Sequence, residues 1–186
     1  MKNMNIFKNF NDQISFQINS IKISTLVKIA DKIKFTAAKR KKIIIIGNGG
    51  SAAMASHVAV DLTKAVKIRS ITFNESDLIT CFANDYGYEF WAEKAIESYG
   101  DKGDLVILIS SSGKSKNIIN AALKAKSMGI FVVTLSGFEK NNPLKKLGDI
   151  NLWLDSKGYN IVEMTHHIWL VSIVDYIYGK IEYTSN

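Results

Sequence analysis

Continuous apolar runs along the chain predict the strands of a buried parallel sheet. Each run lacks the alternation of apolar and polar residues seen in half-exposed strands, and β-branched residues dominate the first, which is typical of strands covered on both faces. The runs are Ile43–Ile46, Leu105–Ile109, residues 130–135 and residues 150–154, and a shorter stretch at residues 69–73 predicts a fifth strand.

Helical spacing of apolar residues fills the segments between these strands. It predicts helices at residues 12–39 (one helix or two), 52–62, 90–99, 117–128 and 159–178, with short helices at 77–83 and 144–147. Strands that alternate with helices predict an α/β fold, a three-layer αβα sandwich around a mainly parallel five-stranded sheet, with ligands at the carboxyl ends of the strands. We expect one domain over residues 1–186, with N-terminal helices at about 12–39 and the α/β core at about 40–186.

The composition agrees with one globular domain and limits its location. Of 186 residues, 47% are hydrophobic and 22% are charged. The amino terminus lacks the apolar segment of a signal peptide, and Asp175 interrupts the most apolar later run. Cys81 is the single cysteine, which excludes a disulfide within the chain. These features predict a cytoplasmic protein without a membrane segment.

The formal net charge of +7 raises the question of an anionic partner. A solvated helix face is one explanation of the basic residues, and steering of anionic substrates towards the protein is another. No RNP, zinc-finger or helix-turn-helix signature accompanies them, so nucleic acid is not an expected partner. The basic residues cluster along the first predicted helix and its exit, at Lys22, Lys28, Lys32, Lys34, Lys39, Arg40, Lys41 and Lys42.

A glycine-rich turn follows the first strand and precedes a helix. The three glycines of residues 47–51 permit positive φ and close approach of a ligand to the backbone. Free N–H groups and the positive end of the helix dipole converge at such a helix start, which favours an anion. The candidate binding residues are Asn48, Gly49, Gly50 and Ser51.

The glycine turn alone has two other interpretations. Its spacing Gly47-x-Gly49-x-x-Ala52 satisfies the looser dinucleotide fingerprint, in which Glu75 or Asp77 would hold a ribose. The turn could also serve only to pack a strand against a helix.

A second loop of the same kind favours a phosphate ligand. The strand Leu105–Ile109 is followed by a serine-rich loop and a helix, and its hydroxyls add donors suited to a phosphate monoester. A Walker loop is excluded, because Leu108 stands where that motif needs glycine. The candidate residues are Ser110, Ser111, Ser112 and Ser115.

These two loops and three further motifs resemble the sugar-isomerase (SIS) domain. The loops read Gly-Asn-Gly-Gly-Ser and Ile-Ser-Ser-Ser-Gly-Lys-Ser, and the resemblance extends over about residues 20–179. Matches to the phosphoheptose isomerase branch are His57-x-x-x-Asp61-Leu62-Thr63, Asn84-Asp85-Tyr86-Gly87-Tyr88 and Thr134-Leu135-Ser136-Gly137.

The resemblance implies a ketose–aldose isomerase that acts on sedoheptulose 7-phosphate or a related sugar phosphate. It further implies a role in surface-polysaccharide (lipopolysaccharide or capsule) synthesis, a homotetramer with sites at subunit interfaces, and no nucleotide cofactor. A base would move a proton between neighbouring carbons through an enediol.

The resemblance also assigns roles to individual residues. Asp61 would be the base, with His57 as a ligand or proton carrier one helical turn away. Aspartate replaces the usual glutamate here, so the carboxylate is one methylene shorter. Asn84 and Asp85 would contact sugar hydroxyls. Several members of the family carry zinc at this site.

The predicted C-terminal helix departs from the family pattern. A glutamine and a histidine of the family, eight residues apart, fall on Val162 and Leu170, which can neither bind a metal nor carry a proton. His166 projects midway between these positions at about 100° per residue, so we predict it as the second acid–base group. With His57, Asp61 and Glu163, His166 forms the candidate zinc site.

Other features of this region leave alternatives open. His167 lies about 100° further round the helix and would be a polar contact, and the His pair could also be a surface or interface feature. The family's arginine after Leu-Thr falls on Ala65, where Lys64 or Lys67 would have to supply the charge. An inactive SIS scaffold that binds a sugar phosphate or a protein partner is therefore the second hypothesis. A sugar-phosphate-responsive regulator is the third, although no DNA-binding segment is recognisable.

Overall fold

A parallel five-stranded sheet forms the centre of the molecule. The computed structural model describes residues 4–182. The strand order is β2-β1-β3-β4-β5, and every neighbouring pair is parallel. The strands are β1 Ile43–Ile46, β2 Ser70–Ile71, β3 Leu105–Ile109, β4 Phe131–Ser136 and β5 Ile150–Trp153.

Helices connect the strands and cover both faces of the sheet. They are α1 Met4–Ile18, α2 Ile23–Ala38, α3 Gly50–Lys64, α4 Ser76–Tyr86, α5 Trp91–Tyr99, α6 Lys116–Ser127 and α7 Tyr159–Tyr178, with a short 3-10 helix at Leu144–Lys146. One hydrophobic core joins α2, α3 and α7 to one face, and a second joins α5 and α6 to the other. The predicted αβα sandwich with a five-stranded parallel sheet is therefore confirmed.

Alternate residues of the central strands supply the two cores. Ile43 and Ile45 point into the core with α3 and α7, whereas Ile44 and Ile46 point into the core with α5 and α6. All four are fully buried, which explains why the strand is uniformly apolar.

The predicted N-terminal helical region is two helices. It begins at Met4, earlier than predicted, and breaks between Ile18 and Ile23. At the break, the Ser20 hydroxyl donates to the Gln17 carbonyl at 2.7 Å and the Asn19 amide donates to the Ser15 carbonyl at 2.7 Å. These side chains satisfy carbonyls that a continuing helix would have bonded.

Two other boundaries differ from the prediction. The strand predicted at residues 69–73 contains only Ser70–Ile71, because it lies at the sheet edge and pairs with β1 alone. The turn predicted at Asn84 begins three residues later, because α4 continues to Tyr86 and ends at Gly87 with φ +93°.

No helix in the described part of the chain is long and apolar enough to cross a membrane. Residues 1–3 and 183–186 of the predicted domain lie outside the described residues, so its full extent stays a prediction.

Candidate functional site

The first loop turns sharply from β1 into α3. Gly49 has φ +53° and immediately precedes the helix, which begins at Gly50. A Cβ on Gly47 would lie 2.6 Å from the Cβ of Ser51, so the close approach of loop and helix requires glycine there. The N–H groups of Ser51, Ala52 and Ala53 already donate to the carbonyls of Asn48 and Gly49, so the exposed Gly49 and Gly50 present the backbone N–H groups that a ligand could reach.

The second loop closes on itself between β3 and α6. The hydroxyl oxygens of Ser110 and Ser115 are 2.9 Å apart, and the Gly113 N–H donates to the Ser110 carbonyl at 2.9 Å. The Lys114 N–H donates to the Ser112 hydroxyl at 3.2 Å. Ser112 and Ser115 remain half-buried, whereas Ser110 and Ser111 are buried, so Ser112 and Ser115 are the more accessible hydroxyls of the loop.

The two loops lie side by side because β1 and β3 are adjacent in the sheet. In the sheet, β1 has β2 on one side and β3 on the other, so the strand order reverses direction between β1 and β3. Such a reversal is a topological switch point, where α/β folds bind ligands. The side-chain amides of Asn48 and Asn117 bond reciprocally at 3.1 and 2.8 Å, and the Tyr88 hydroxyl donates to Asn48 at 3.4 Å. These contacts join the two predicted phosphate loops into one surface.

Glu163 on α7 links the same two loops from the other side. Its carboxylate accepts a hydrogen bond from the Ser111 hydroxyl at 3.4 Å. It also occupies the space that a Cβ on Gly50 would need. Only glycine at this helix start lets the carboxylate approach so closely.

A chain of three polar side chains continues along α3 and α7. The Nε2 of His57 is 3.1 Å from Oδ2 of Asp61, one turn further along α3. The Nδ1 of His57 is 2.9 Å from Nε2 of His167 on α7, and the two rings meet edge to face at 4.9 Å between centroids. His57 therefore lies between a carboxylate and a second imidazole.

Hydrogen bonding assigns the protons in this chain. The Asp61 carboxylate can only accept, so the Nε2 of His57 carries a proton. In neutral His57 the Nδ1 is then an acceptor, and the Nε2–H of His167 donates to it. Burial lowers the pKa of His167, and the neighbouring His57 lowers it further, while Asp61 acts in the opposite direction. These effects favour a neutral His167.

The histidine–carboxylate cluster lies on the same side of α3 as the first loop. Gly50 and His57 are seven residues apart and so share a helix face, as do Glu163 and His167, four residues apart on α7. Gly50 adjoins Glu163, and His57 contacts His167. The two helices thus line one polar seam that starts at the loops and leads to Asp61.

His166 does not belong to this seam. Its side chain is fully buried, and its Nε2 lies 3.3 Å from the Ser136 carbonyl at the end of β4. That carbonyl is an acceptor, so Nε2 carries the proton, and the buried Nδ1 has no partner within the described residues. Burial lowers the pKa of His166 to about 4. The structure therefore corrects the expectation that His166 shares a site with His57 and Asp61.

The helix geometry explains this outcome. Val162 and Leu170, between which His166 projects, are themselves buried in the core. His166 was predicted correctly to point between them, but that direction leads into the protein, and the neighbouring His167 points towards α3.

Asn84 and Asp85 are exposed in the last turn of α4 and bond to each other. The Asn84 amide donates to the Asp85 carboxylate at 2.9 Å. Tyr88 is the residue of this motif that reaches the first loop. The contacts of Asn84 and Asp85 with sugar hydroxyls stay predictions.

The predicted zinc ligands do not form a metal site within one chain. Across residues 4–182, no group of three or more His, Cys, Asp or Glu side chains is arranged to hold a metal ion. His57 already uses both ring nitrogens, and His166 faces the core. Glu163 is bonded to the serine loop. Zinc at this site therefore stays a prediction, and we derive no step from it.

The residues of the dinucleotide interpretation lie elsewhere. Glu75 and Asp77 line a cavity of about 660 Å³ beyond β2, together with Phe82 and Tyr99. The described lining of this cavity contains two carboxylates and no cation, so it is unsuited to an anion. Binding of the anion at the two loops stays a prediction.

Three residues of the site were not selected from the sequence as binding or catalytic residues. Asn117 could have been noticed as a buried polar residue on the apolar face of α6, and Tyr88 belongs to a quoted motif. His167 carried no distinguishing signal, because its role depends on how α7 packs against α3.

Comparison with known proteins assigns the class of the chain. The model of the SIS domain family matches residues 7–137, and the chain belongs to this family. Its relatives include a phosphoheptose isomerase of Cytophaga hutchinsonii, 37% identical over 143 residues, which are 74% of this chain and 74% of the relative. A phosphoheptose isomerase of Fusobacterium nucleatum is 35% identical over 153 residues, covering 80% of this chain and 78% of the relative.

A solved structure supports the same fold. The phosphoheptose isomerase of Neisseria gonorrhoeae superposes with a TM-score of 0.87 at 23% identity, and the match covers 96% of this chain and 100% of that one.

Proposed function

We propose that the protein is an aldose–ketose isomerase of a sugar phosphate, with sedoheptulose 7-phosphate as the substrate. The observation that carries this proposal is the polar seam, in which a carboxylate bonded to an imidazole adjoins two anion-binding loops. His57 lies about 10 Å along α3 from Gly50, because seven residues rise by 1.5 Å each. This separation is comparable with the length of an extended sugar phosphate. The names of the relatives point to the same substrate.

The loops would bind the phosphate and fix the sugar along the seam. The N–H groups of Gly49 and Gly50 and the hydroxyls of Ser110, Ser112 and Ser115 would supply the donors. The sugar carbonyl would then lie towards Asp61 and His57.

Asp61 would carry the proton between carbons. Its carboxylate removes a proton from the carbon next to the ketose carbonyl, and the electrons move to the carbonyl oxygen, which gives an enediol. Return of that proton to the former carbonyl carbon, with loss of a hydroxyl proton, gives the aldose. His57 would move the proton between the two oxygens through Nε2, once the bound sugar replaces Asp61 as the partner of that nitrogen, and His167 would hold its ring in place through Nδ1.

The wider context of this function is also part of the proposal. Assembly as a homotetramer, with sites near subunit boundaries, would cover the exposed apolar face of α1. The proposal also includes a cytoplasmic location and a role in the synthesis of surface-polysaccharide heptose, which rest on the similarity to phosphoheptose isomerases.

Incubation of the purified protein with sedoheptulose 7-phosphate, followed by NMR of the aldose product, tests the proposal. We expect turnover, and we expect Asp61→Asn to lower kcat by about 10²–10⁴ with little change in KM, as for a general base. Asp61→Glu keeps the carboxylate and should retain more activity, and Asp155→Asn, at an exposed position, is the control. Binding of the sugar phosphate without turnover in the wild type would refute the isomerase and support the scaffold.

A further inference from the structure

The basic residues near the exit of α2 divide into two groups in the structure. Lys42 bonds to Asp101 at 2.8 Å and to the buried Asp104 at 2.7 Å, and Lys34 bonds to Asp31 at 2.8 Å. Lys32 and Lys39 lie over the ring of Phe35. These cations have partners, so a packing role accounts for them.

The second group lines a cavity at the amino ends of β1 and β2. The cavity has a volume of about 280 Å³. It is lined by Ala37, Arg40, Lys41, Lys67, Ile68 and Arg69. Four of these six residues are cations, and none is an acid. Among the described residues, the side chains of Arg40, Lys41 and Lys67 form no salt bridge.

The backbone at two of these cations is in the left-handed region. Arg40 and Lys67 both have φ +58°, where glycine is the favoured residue after a helix. They follow the C-terminal ends of α2 and α3, respectively. The chain therefore places a cation at two positions where its own backbone would favour glycine.

Stabilisation of helix C-termini accounts for part of this cluster. Arg69 donates from Nη2 to the Arg40 carbonyl at 2.6 Å, which satisfies a carbonyl after α2. Arg40, Lys41 and Lys67 make no such side-chain bond within the described residues. The exposed Asp101 has its pKa lowered mainly by Lys42, and also by Lys41 and Arg69. It is therefore close to the cavity, but its hydrogen bond is to Lys42.

We propose that this cavity is a second phosphate-binding site, which takes a pyrophosphate-like group of a small molecule. Four cations around one small concave space suit a compact, multiply charged anion. Nucleic acid would instead require cations spread along a groove or a helix face.

The second site is separate from the catalytic loops. The loops follow the carboxyl ends of β1 and β3, whereas the cavity lies at the amino ends of β1 and β2. The four residues of β1 place about 13 Å between these ends of the sheet.

Calorimetric titration with inorganic pyrophosphate tests the proposal in a Ser112→Leu background. The bulky leucine fills the loop site, so the remaining binding reports on the cavity. We expect about one equivalent to bind, and we expect Arg40→Gly with Lys67→Gly to weaken binding at least about tenfold. Glycine suits the positive φ at both positions, so the unfolding midpoint should not fall. Lys41→Gln removes a third cation, at a position where the backbone φ is not positive, and should also weaken binding.

The matched control is Lys22→Gln with Lys28→Gln, which removes two exposed cations of the same basic cluster outside the cavity. Unchanged affinity in the glycine variant, or an equal loss in the control, would overturn the proposal. Binding of a short DNA duplex without binding of pyrophosphate would overturn it in favour of a nucleic-acid surface.

ADP serves as a second probe: loss of its binding in the same variants supports the site and assigns it to the phosphate end of a nucleotide. Turnover of the sugar phosphate is measured separately, so the isomerase proposal can fail without this one.

Discussion

His57 and His167 show how one contact between helices determines the chemistry of a residue. An isolated histidine at position 57 could take either neutral tautomer. The Asp61 carboxylate on one nitrogen and the His167 imidazole on the other permit a single arrangement of protons in the neutral pair. The proposed base, Asp61, and its neighbour His57 are thereby oriented before any substrate binds.

Replacement of His167 tests this orientation. We expect His167→Ala to lower kcat by about tenfold with KM nearly unchanged, because one hydrogen bond to His57 is lost while the phosphate loops are intact. His167→Gln retains a donor and should keep more of the activity. Equal kcat in the alanine variant and the wild type would remove His167 from the site.

His166 makes a different prediction, which concerns stability rather than catalysis. Its pKa is about 4 in the folded protein because of burial, compared with 6.5 for an exposed histidine. Between these values the unfolded chain binds the additional proton, so this group lowers stability as the pH falls from 6.5 to 4, by roughly 3 kcal/mol in total. Above pH 6.5 it has no such effect.

Urea unfolding at a series of pH values measures this effect. His166→Gln can still donate to the Ser136 carbonyl but does not titrate, so its free energy of unfolding should fall less steeply over this range. Parallel curves for wild type and His166→Gln would contradict the prediction.

At the scale of elements, the serine loop after β3 is held in place by the segment after β4. The buried Asn142 amide donates to the Ser136 hydroxyl at 3.0 Å, and its oxygen accepts from the Lys145 N–H at 2.9 Å. A Cβ on Gly113 would collide with the Asn142 side chain. The loop conformation thus depends on the absence of a side chain at position 113.

Gly113→Ala should therefore destabilise the protein and weaken sugar-phosphate binding. Its φ of +65° adds strain to the collision, and we expect a loss of about 1–3 kcal/mol in the free energy of unfolding. Gly103→Ala is a suitable control, because φ is +92° there but the nearest atoms of Lys41 would lie at 3.6 Å. Equal losses in the two variants would show that strain alone, without Asn142, is responsible.

The elements differ in how far the sequence determines them. The limits of β1, β3 and α7 were predicted as observed, because burial on both faces and a long helical pattern leave few alternatives. The ends of β2 and α4 differ from the prediction. The length of an edge strand and the last turn of an exposed helix depend on contacts with neighbouring segments, which the local sequence does not show. The two loops were predictable as local motifs, whereas the choice between His166 and His167 required the packing of α7 against α3.

At the scale of the whole molecule, α1 exposes more apolar surface than a monomer usually carries. Ile6, Phe7, Phe10 and Phe16 are all exposed, although they lie on one helix. Only the last part of α1 is covered, where Ile14 packs against the core and the Trp169 indole donates to the Ile18 carbonyl at 3.0 Å.

We expect this surface to form a subunit interface. Light scattering should give a mass near four times the 20.7 kDa chain, and Phe7→Asp should shift the protein towards smaller species by placing a charge in the interface. Leu123→Asp, at an exposed position on α6, is the control. A wild type that remains monomeric at high concentration would contradict the prediction.

The reciprocal amide pair between Asn48 and Asn117 also bears on the chemical lifetime of the protein. Asn48 precedes Gly49, and asparagine is a thermolabile residue whose side-chain amide can hydrolyse to a carboxylate. The aspartate formed would lose the amide that donates to Asn117 and would add a negative charge within the anion loop. Deamidation of this one side chain would thus weaken phosphate binding while leaving the sheet and both cores intact.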